Sequence, residues 1–249
     1  MARLFISTVS HNSDQMIVEK NVLPSLSSSF EVVVKCNTKC TEPLRSLSME
    51  SNVHIIDGEY SRGFGDNNNI VFEYCKNNLG MMSDDYFLVL NPDVVIDACT
   101  LNQLLKRVVN GCVNISTINL YKDLELKKTE GSIRRFPGVF TPLVAFLLGR
   151  NPDEYDKTSI FREVFVDWAA GSFLLFKASV YEELDGFDER FFMYFEDVDI
   201  CRRAKKYGYN VIYYPDLKAT HFGAYRNRKI LSKNFAWYLR SYIVYHTGL

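Results

Sequence analysis

The chain has 249 residues, 47% of them apolar and 24% charged, a balance that fits one large globular domain. Lys and Arg total 29 against 30 Asp and Glu, for a net charge of −1, which argues against nucleic acid as a partner because polyanions are bound largely by basic surfaces. The best apolar run, residues 143–148 within TPLVAFLLG, is far short of the ~20 residues that span a bilayer.

Residues 4–9 (LFISTV), 31–34 (EVVV), 53–56 (VHII) and 86–90 (YFLVL) read as strands, and residues 14–26, 42–49 and 68–78 between them as helices. Continuous β-branched runs suit strands covered on both faces. Their alternation with helices predicts an α/β fold with a doubly wound, mostly parallel sheet. Ligands bind such sheets beyond the carboxyl ends of the strands. The positions to watch are therefore Ser10, His11 and Asn12, then Asn37, Asp57, and the turn from Asn91 to Asp93.

Further along, residues 101–109 read as a helix, 114–121 as a strand and 122–137 as a charged, turn-prone stretch. Residues 164–168 and 172–176 read as strands, and 178–184 as a helix ending at Gly186. Residues 197–207 form a helix stopped by Gly208, 211–214 a strand stopped by Pro215, and 230–246 a closing helix. Without repeats or low-complexity linkers, residues 1–249 are expected to form one domain. Residues 1–97 would be its nucleotide-binding half, 98–228 the second wall of the site and 229–249 a terminal helix. The opening MARLFISTVSHNSD has no signal-peptide h-region or cleavage site, so a cytoplasmic location and reduced thiols are expected for the six cysteines.

Two segments carry chemistry. In DYFLVLNPD (85–93) a buried strand ends in Asn91 and Asp93 around a proline. That is an ordinary turn composition, and also an oxygen set for a hard divalent cation such as Mg²⁺. In FFMYFEDVDICRR (191–203) an aromatic run abuts Glu196, Asp197 and Asp199. Acids in a first helical turn complement the helix dipole, while a carboxylate beside apolar rings is desolvated and strengthened as a general base. His221, past the last strand, suits a metal or phosphate contact. Arg134 and Arg135 suit a diphosphate.

Several blocks in order make the chain resemble the inverting glycosyltransferases of family 2, with the GT-A fold, and among them bacterial rhamnosyltransferase-like enzymes. GFGDNNN (63–69) is similar to that family's GFGxxNN segment, and LNPD (90–93) stands in the place of its Asp-x-Asp motif. AGSFLLF (170–176) resembles the acceptor-side strand, GFDERFFMYFEDVD (186–199) the catalytic block, and GYNVIYYP (208–215) with His221 completes the pattern. The resemblance implies Asp197 as catalytic base with Glu196 beside it near the acceptor. It implies Asp93 and His221 as contacts to Mg²⁺ or Mn²⁺, with Asn91 in the motif's first position. Ser10, His11, Asn12, Asp57, Gly63, Phe64, Asn67 and Asn68 would surround a nucleotide-sugar donor, with Arg134 and Arg135 on its diphosphate. The chain departs from the pattern at residues 35–38, where KCNT replaces the usual Asp-Asn-x-Ser turn. The donor implied is dTDP-rhamnose, with UDP-hexoses close behind, and the acceptor a glycan or lipid-linked glycan.

A nucleotidyltransferase would open with a Gly-rich loop, which residues 8–12 (TVSHN) lack. A non-catalytic nucleotide-sugar-binding subunit would not need Glu196 and Asp197. The terminal segment places Leu231, Phe235, Tyr238, Tyr242 and Tyr245 at helical spacing among Lys229, Lys233 and Arg240. Such a stripe serves a core or a homodimer interface, or lies peripherally on the inner face of a membrane. The aromatics, 14% of the chain, gather in the second half beside Asp197, as a stacking wall for a sugar acceptor would.

Overall fold

A computed structural model describes residues 2–50, 52–149, 151–223 and 233–248. The first half comprises β1 (Leu4–Ser10), α1 (Asp14–Lys20), α2 (Val22–Ser27), β2 (Glu31–Cys36), α3 (Glu42–Glu50), β3 (Val53–Asp57), α4 (Phe64–Leu79) and β4 (Tyr86–Leu90). The short β5 (Val94–Val95), α5 (Ala98–Asn110), β6 (Ile115–Tyr121), β7 (Ile133–Arg134) and α6 (Thr141–Leu148) follow. The chain then forms β8 (Val164–Val166), β9 (Trp168–Ala169), β10 (Phe173–Lys177), α7 (Ala178–Glu183), α8 (Glu196–Lys206), β11 (Val211–His221) and α9 (Lys233–Thr247).

The main sheet has nine strands, ordered β3-β2-β1-β4-β10-β6-β11-β5, with β8 also pairing β11. The expected parallel winding holds for β3, β2, β1 and β4. Beyond β4 the sheet is mixed, because β10 runs antiparallel to both β4 and β6. Strand alternation divides the core. Phe5, Val33, Phe87 and Val89 face α4, α7 and α8, while Leu4, Ile6, Val32, Val34 and Leu88 face α1, α2, α3 and α5. Since β2 and β4 lie on opposite sides of β1, the strand order reverses there, and the crevice above the ends of β1 and β4 is the topological switch point.

Four expectations change. Residues 14–26 break into α1 and α2 because Asn21 takes the left-handed conformation (φ 53°). Residues 164–168 split into β8 and β9, which belong to different sheets. TPLVAFLL, read only as an apolar run, is a helix, α6. The strand expected to stop at Pro215 continues to His221, because a register shift between Tyr214 and Lys218 lets β11 pass the proline that cannot donate to the ladder. Of the closing helix, residues 230–232, and with them Leu231 and Lys229 of its expected stripe, lie outside the described residues. The six cysteines form no disulfide; Cys99 and Cys112 are exposed and the other four buried. Among the described residues no helix is long and apolar enough to cross a membrane.

Candidate active site

A cavity of about 850 Å³ opens at the switch point. His11, Asn12, Phe64, Asn67, Asn91, Asp93 and His221 line it. Asn12 turns the chain out of β1 in the left-handed conformation (φ 58°), which asparagine tolerates. Ser10 and Asp57, like Asn68 below, face elsewhere than predicted. Ser10 donates its hydroxyl to Asp14 and accepts from the Ser13 backbone at 3.3 Å, so it locks the turn. Asp57 accepts from Tyr60 at 2.6 Å and from the Cys40 backbone at 3.1 Å and pairs with Arg45, away from the cavity. In the departing KCNT turn, Lys35 is buried and donates to the Gly58 carbonyl at 2.6 Å. Asn37 reaches the cavity wall, its amide bonded both ways to the Arg62 backbone at 2.9 Å.

The three asparagines that open α4 point apart, as ~100° per residue requires. Asn67 donates to the Gly63 carbonyl at 2.7 Å, and its Oδ1 is buried at the cavity with no hydrogen-bond partner among the described residues. Asn68 turns inward, accepting from Ser7 at 2.7 Å, and lines no part of the cavity. Asn69 accepts from Tyr181 at 2.7 Å and from the Phe187 amide at 2.9 Å, and donates back to the Phe187 carbonyl at 2.8 Å. GFGDNNN thus clamps the segment at Phe187 as well as lining the cavity through Phe64 and Asn67.

Gly63 is required by a close approach. A Cβ there would lie 2.8 Å from the Phe192 carbonyl oxygen, the group that accepts from the Phe64 amide at 3.0 Å. Gly63→Ala is expected to destabilise the fold by about 1–3 kcal/mol, the usual cost of overpacking, and thermal unfolding will measure it. An unchanged midpoint would show that residue 192 shifts freely.

At the other end of the cavity, the extension of β11 brings His221 into register with Val94, next to Asp93. His221 Nε2 lies 3.1 Å from Asp93 Oδ1, and Nδ1 lies 2.8 Å from Glu130 Oε2. Burial opposes charge on the ring, but the hydrogen bonds to both carboxylates outweigh it and raise the imidazole from 6.5 to about 9. Glu130 went unnoticed in the sequence, because one acid in a charged, turn-prone stretch carries no local signal. Among the described residues no three His, Cys, Asp or Glu side chains form a preformed metal cluster. One carboxylate and one imidazole still fit a divalent cation that draws its other oxygens from a diphosphate, and Glu130 supplies the outer partner that orients such a histidine.

A second pocket, about 250 Å³, holds Glu196 and Asp197 with Trp168, Tyr194, Phe195 and Tyr238. Glu130 lines both this pocket and the larger cavity. The aromatic run divides among three jobs: Phe191 is core, Phe192 and Met193 wall the larger cavity, and Tyr194 and Phe195 wall the smaller one. Tyr194 and Phe195 both take positive φ (69° and 66°), a strained conformation for bulky residues that turns the chain into α8. Much of the aromatic excess is therefore packing. Tyr238, Tyr242 and Tyr245 of α9 close on Phe195 with ring centroids 5.2–5.9 Å away, so the tyrosines of the expected stripe face inward, while Phe235 is exposed.

Asp197 Oδ2 accepts from the Gly171 amide at 3.0 Å and Oδ1 from the Val198 amide at 2.9 Å. Asp199 instead pairs with Arg203 at 2.7 Å. Burial raises both members of the Glu196–Asp197 pair. On Asp197 the backbone donors and the Arg134 charge pull the other way. For Glu196, Oε2 is buried with no hydrogen-bond partner among the described residues, and the Asp197 charge raises the carboxyl further. The pair's negative charge therefore falls on Asp197 and the proton on Glu196. A carboxylate raised in the fold costs stability as pH climbs above its unfolded value, 4.5 for Glu196. Glu196→Gln is expected to match wild type in thermal midpoint near pH 4.5 and exceed it at pH 8; a lower midpoint at pH 8 would refute this protonation.

The arginine pair separates, because adjacent residues of an extended strand face opposite ways. Arg134 lies over Trp168 (5.4 Å), pairs with Glu154 (3.4 Å) and lines the Asp197 pocket. Arg135 stacks on Tyr155 (4.5 Å) and lines neither cavity. Neither meets the larger cavity, where the diphosphate was expected.

A parallel half with its ligand cleft at the switch point, joined to a mixed half carrying a buried carboxylate, is the GT-A arrangement of glycosyltransferases. The structure of GalNAc-T7 with UDP, GalNAc and Mn²⁺ matches with a TM-score of 0.66 at 12% identity, covering 98% of this chain and 48% of that one. Staphylococcus aureus TarS residues 1–349 in complex with UDP-GlcNAc matches at 0.59 and 15% identity, covering 97% of this chain and 66% of that one. At such identities the likeness concerns the fold. The sequence model of the family described as "Glycosyltransferase like family 2" matches residues 30–239, and the chain belongs to that family. It is 34% identical over 241 residues to the rhamnosyltransferase WbbL of Escherichia coli K12, covering 96% of this chain and 90% of the relative. It is 29% identical to the N-acetylglucosaminyl-diphospho-decaprenol L-rhamnosyltransferase of Mycobacterium tuberculosis, covering 66% of this chain and 57% of that protein.

Proposed function

We propose that the chain transfers a sugar, with rhamnose from dTDP-rhamnose favoured, to a hydroxyl of a growing lipid-linked polysaccharide, inverting the anomeric centre by single displacement. The rhamnosyltransferase relatives support the sugar, and the diphospho-decaprenol in the name of one supports a lipid-linked acceptor. One observation carries the reading: the cavity of Asp93 and His221 and the pocket of Asp197 share Glu130 as a wall.

In this reading residues 1–97 hold the donor and residues 98–228 the acceptor. The diphosphate lies toward Asp93 and His221, where a bound Mg²⁺ or Mn²⁺ would neutralise the leaving group. Asn91 beside Asp93 contributes a neutral oxygen, so the protein side of that site carries one charge fewer than an Asp-x-Asp pair. His11, Asn12, Phe64 and Asn67 enclose the nucleoside, and the unbonded Asn67 oxygen offers it an acceptor. Asp197, ionised at the head of α8, accepts the proton of the acceptor hydroxyl as that oxygen attacks. Glu196, neutral, leaves the local charge on Asp197 alone. Positive charge builds at the anomeric carbon as in glycoside hydrolysis, and the aromatic wall keeps water from competing.

A nucleotide-sugar panel incubated with Mg²⁺ or Mn²⁺ tests this. Slow, metal-dependent release of nucleoside diphosphate, fastest from dTDP-rhamnose, is expected. Release of pyrophosphate, or none from any donor, would refute glycosyl transfer; preference for a UDP-hexose would refute the sugar.

A further inference from the structure

Helix α6 reads TPLVAFLL, eight residues without a charge. Several of its apolar groups are exposed: Phe140, just before it, is 73% exposed, Leu147 71% and Leu148 56%. Helix α9 exposes Leu239 and Ile243, each 46%, and its Tyr242 hydroxyl bonds the Val139 carbonyl, which holds α9 against the segment leading into α6. Large apolar side chains exposed in numbers on neighbouring elements mark a surface that meets a partner.

Charge says which partner. Residues 133–150 contain Arg134, Arg135 and Arg150 and no acid, and after Asp216 the chain has Lys218, Arg226, Arg228, Lys229, Lys233 and Arg240 and again no acid. A chain of net charge −1 has thus kept every carboxylate out of the two segments that carry its exposed apolar helices. Arg134 is paired with Glu154, but on α9 the exposed Lys233 and Arg240 stand beside the exposed Phe235, Leu239 and Ile243, and apolar groups set among cations match an anionic lipid surface. A second copy fits poorly, since a two-fold contact would set one cationic face on another. Position agrees: Thr141 and Pro142 at the head of α6, with Tyr238 and Tyr242 of α9, line the pocket that holds Asp197.

We propose that α6, with Leu239 and Ile243 of α9, seats in the interface of an anionic lipid bilayer and opens the Asp197 pocket toward it. The proposal deepens the reading of a lipid-linked acceptor given above and rests on it. It also shifts the membrane contact from the tyrosines of α9, which pack on Phe195, to residues 139–148 and the exposed Leu239 and Ile243 of α9.

Vesicle flotation tests it, using phosphatidylcholine alone and phosphatidylcholine mixed with phosphatidylglycerol, for the full chain and for the variant Phe140→Ser/Leu147→Ser. The wild type is expected to float with the anionic vesicles, less so at high salt, and the variant to partition at least roughly tenfold more weakly. Both substituted residues are exposed and line neither cavity, so the variant should keep its thermal midpoint and its metal-dependent release of nucleoside diphosphate. Failure of the wild type to float, or equal flotation of the two proteins, would overturn the proposal. So would a wild-type dimer that the double substitution converts to monomer without any vesicle binding. Flotation without donor turnover would count against glycosyl transfer and leave the membrane surface standing, so the two failures are separable.

Discussion

Replacing Asp197 by asparagine is expected to cut transfer by roughly 10²–10⁴, the range general-base catalysis supplies, while leaving donor affinity within about twofold. The reason lies in how the carboxylate is held. Both oxygens already accept backbone amides, from Gly171 and Val198. An asparagine keeps nearly the same volume and one acceptor oxygen, but its Nδ2 must face the other backbone amide, so one hydrogen bond is lost at a cost of about 1 kcal/mol. What it also loses is the proton acceptor. Because burial raises the Asp197 carboxyl in the native state, removing the buried charge offsets that cost, and the variant should stay folded, within about 1 kcal/mol of wild type at pH 8. Single-turnover transfer and calorimetric donor binding, measured on the same sample, will check this. A variant that turns over like wild type would remove Asp197 from the reaction; one that also loses the donor would make its role structural.

The second large effect is expected at Asp93. Asp93→Asn should weaken metal-dependent donor binding at least as much as the 10–100-fold typical for loss of an outer-shell partner, and Glu130→Ala should fall within that range. Glu130→Gln, which still offers Nδ1 an acceptor, should recover part of it. The metal-free protein carries a proton on His221, raised to about 9, and the ring must lose that proton to ligate. Metal uptake at pH 7 should therefore release one proton, and apparent affinity should rise about tenfold per pH unit toward pH 9. The stability sign follows from the same raised value. The ion pairs stabilise fully below the unfolded value of 6.5 and are lost as pH rises through about 9. Metal-free wild type should thus unfold more easily between those limits, and Asp93→Asn should flatten the profile. Manganese titration followed by electron paramagnetic resonance, with thermal melts in chelator, will read both. Unchanged manganese affinity in Asp93→Asn would place the metal elsewhere.

How much of this was legible in the chain differs residue by residue. GFDERFFMYFEDVD could be read because its parts are contiguous: the aromatic run and the acids of the first helical turn lie within one short segment, and local chemistry marks them. The parallel half was legible for a similar reason, since strands buried on both faces read as unbroken apolar runs. Glu130 was not, because nothing near it in the chain needs a carboxylate; its partner is His221, 91 positions away. Nor was the path of β11, where a bulge at Pro215 overrode a reliable breaker because β6 supplies a ladder on both sides of it.

Asn67, Asn68 and Asn69 show the division most plainly. The sequence by itself determined the family and the winding of the first half. It also determined that carboxylates are absent from residues 133–150 and from all positions after Asp216. Only the tertiary structure decided that one asparagine faces the cavity, one faces Ser7 and one grips Phe187. Only it decided that Arg134 and Arg135 part company, that the α9 tyrosines pack inward, and that Asp93, His221 and Glu130 meet. The physical reason is range. Period, capping and turn chemistry act over a few residues and are written locally, whereas which side of a helix or strand meets which distant partner depends on how the elements pack, and no short stretch of chain contains that.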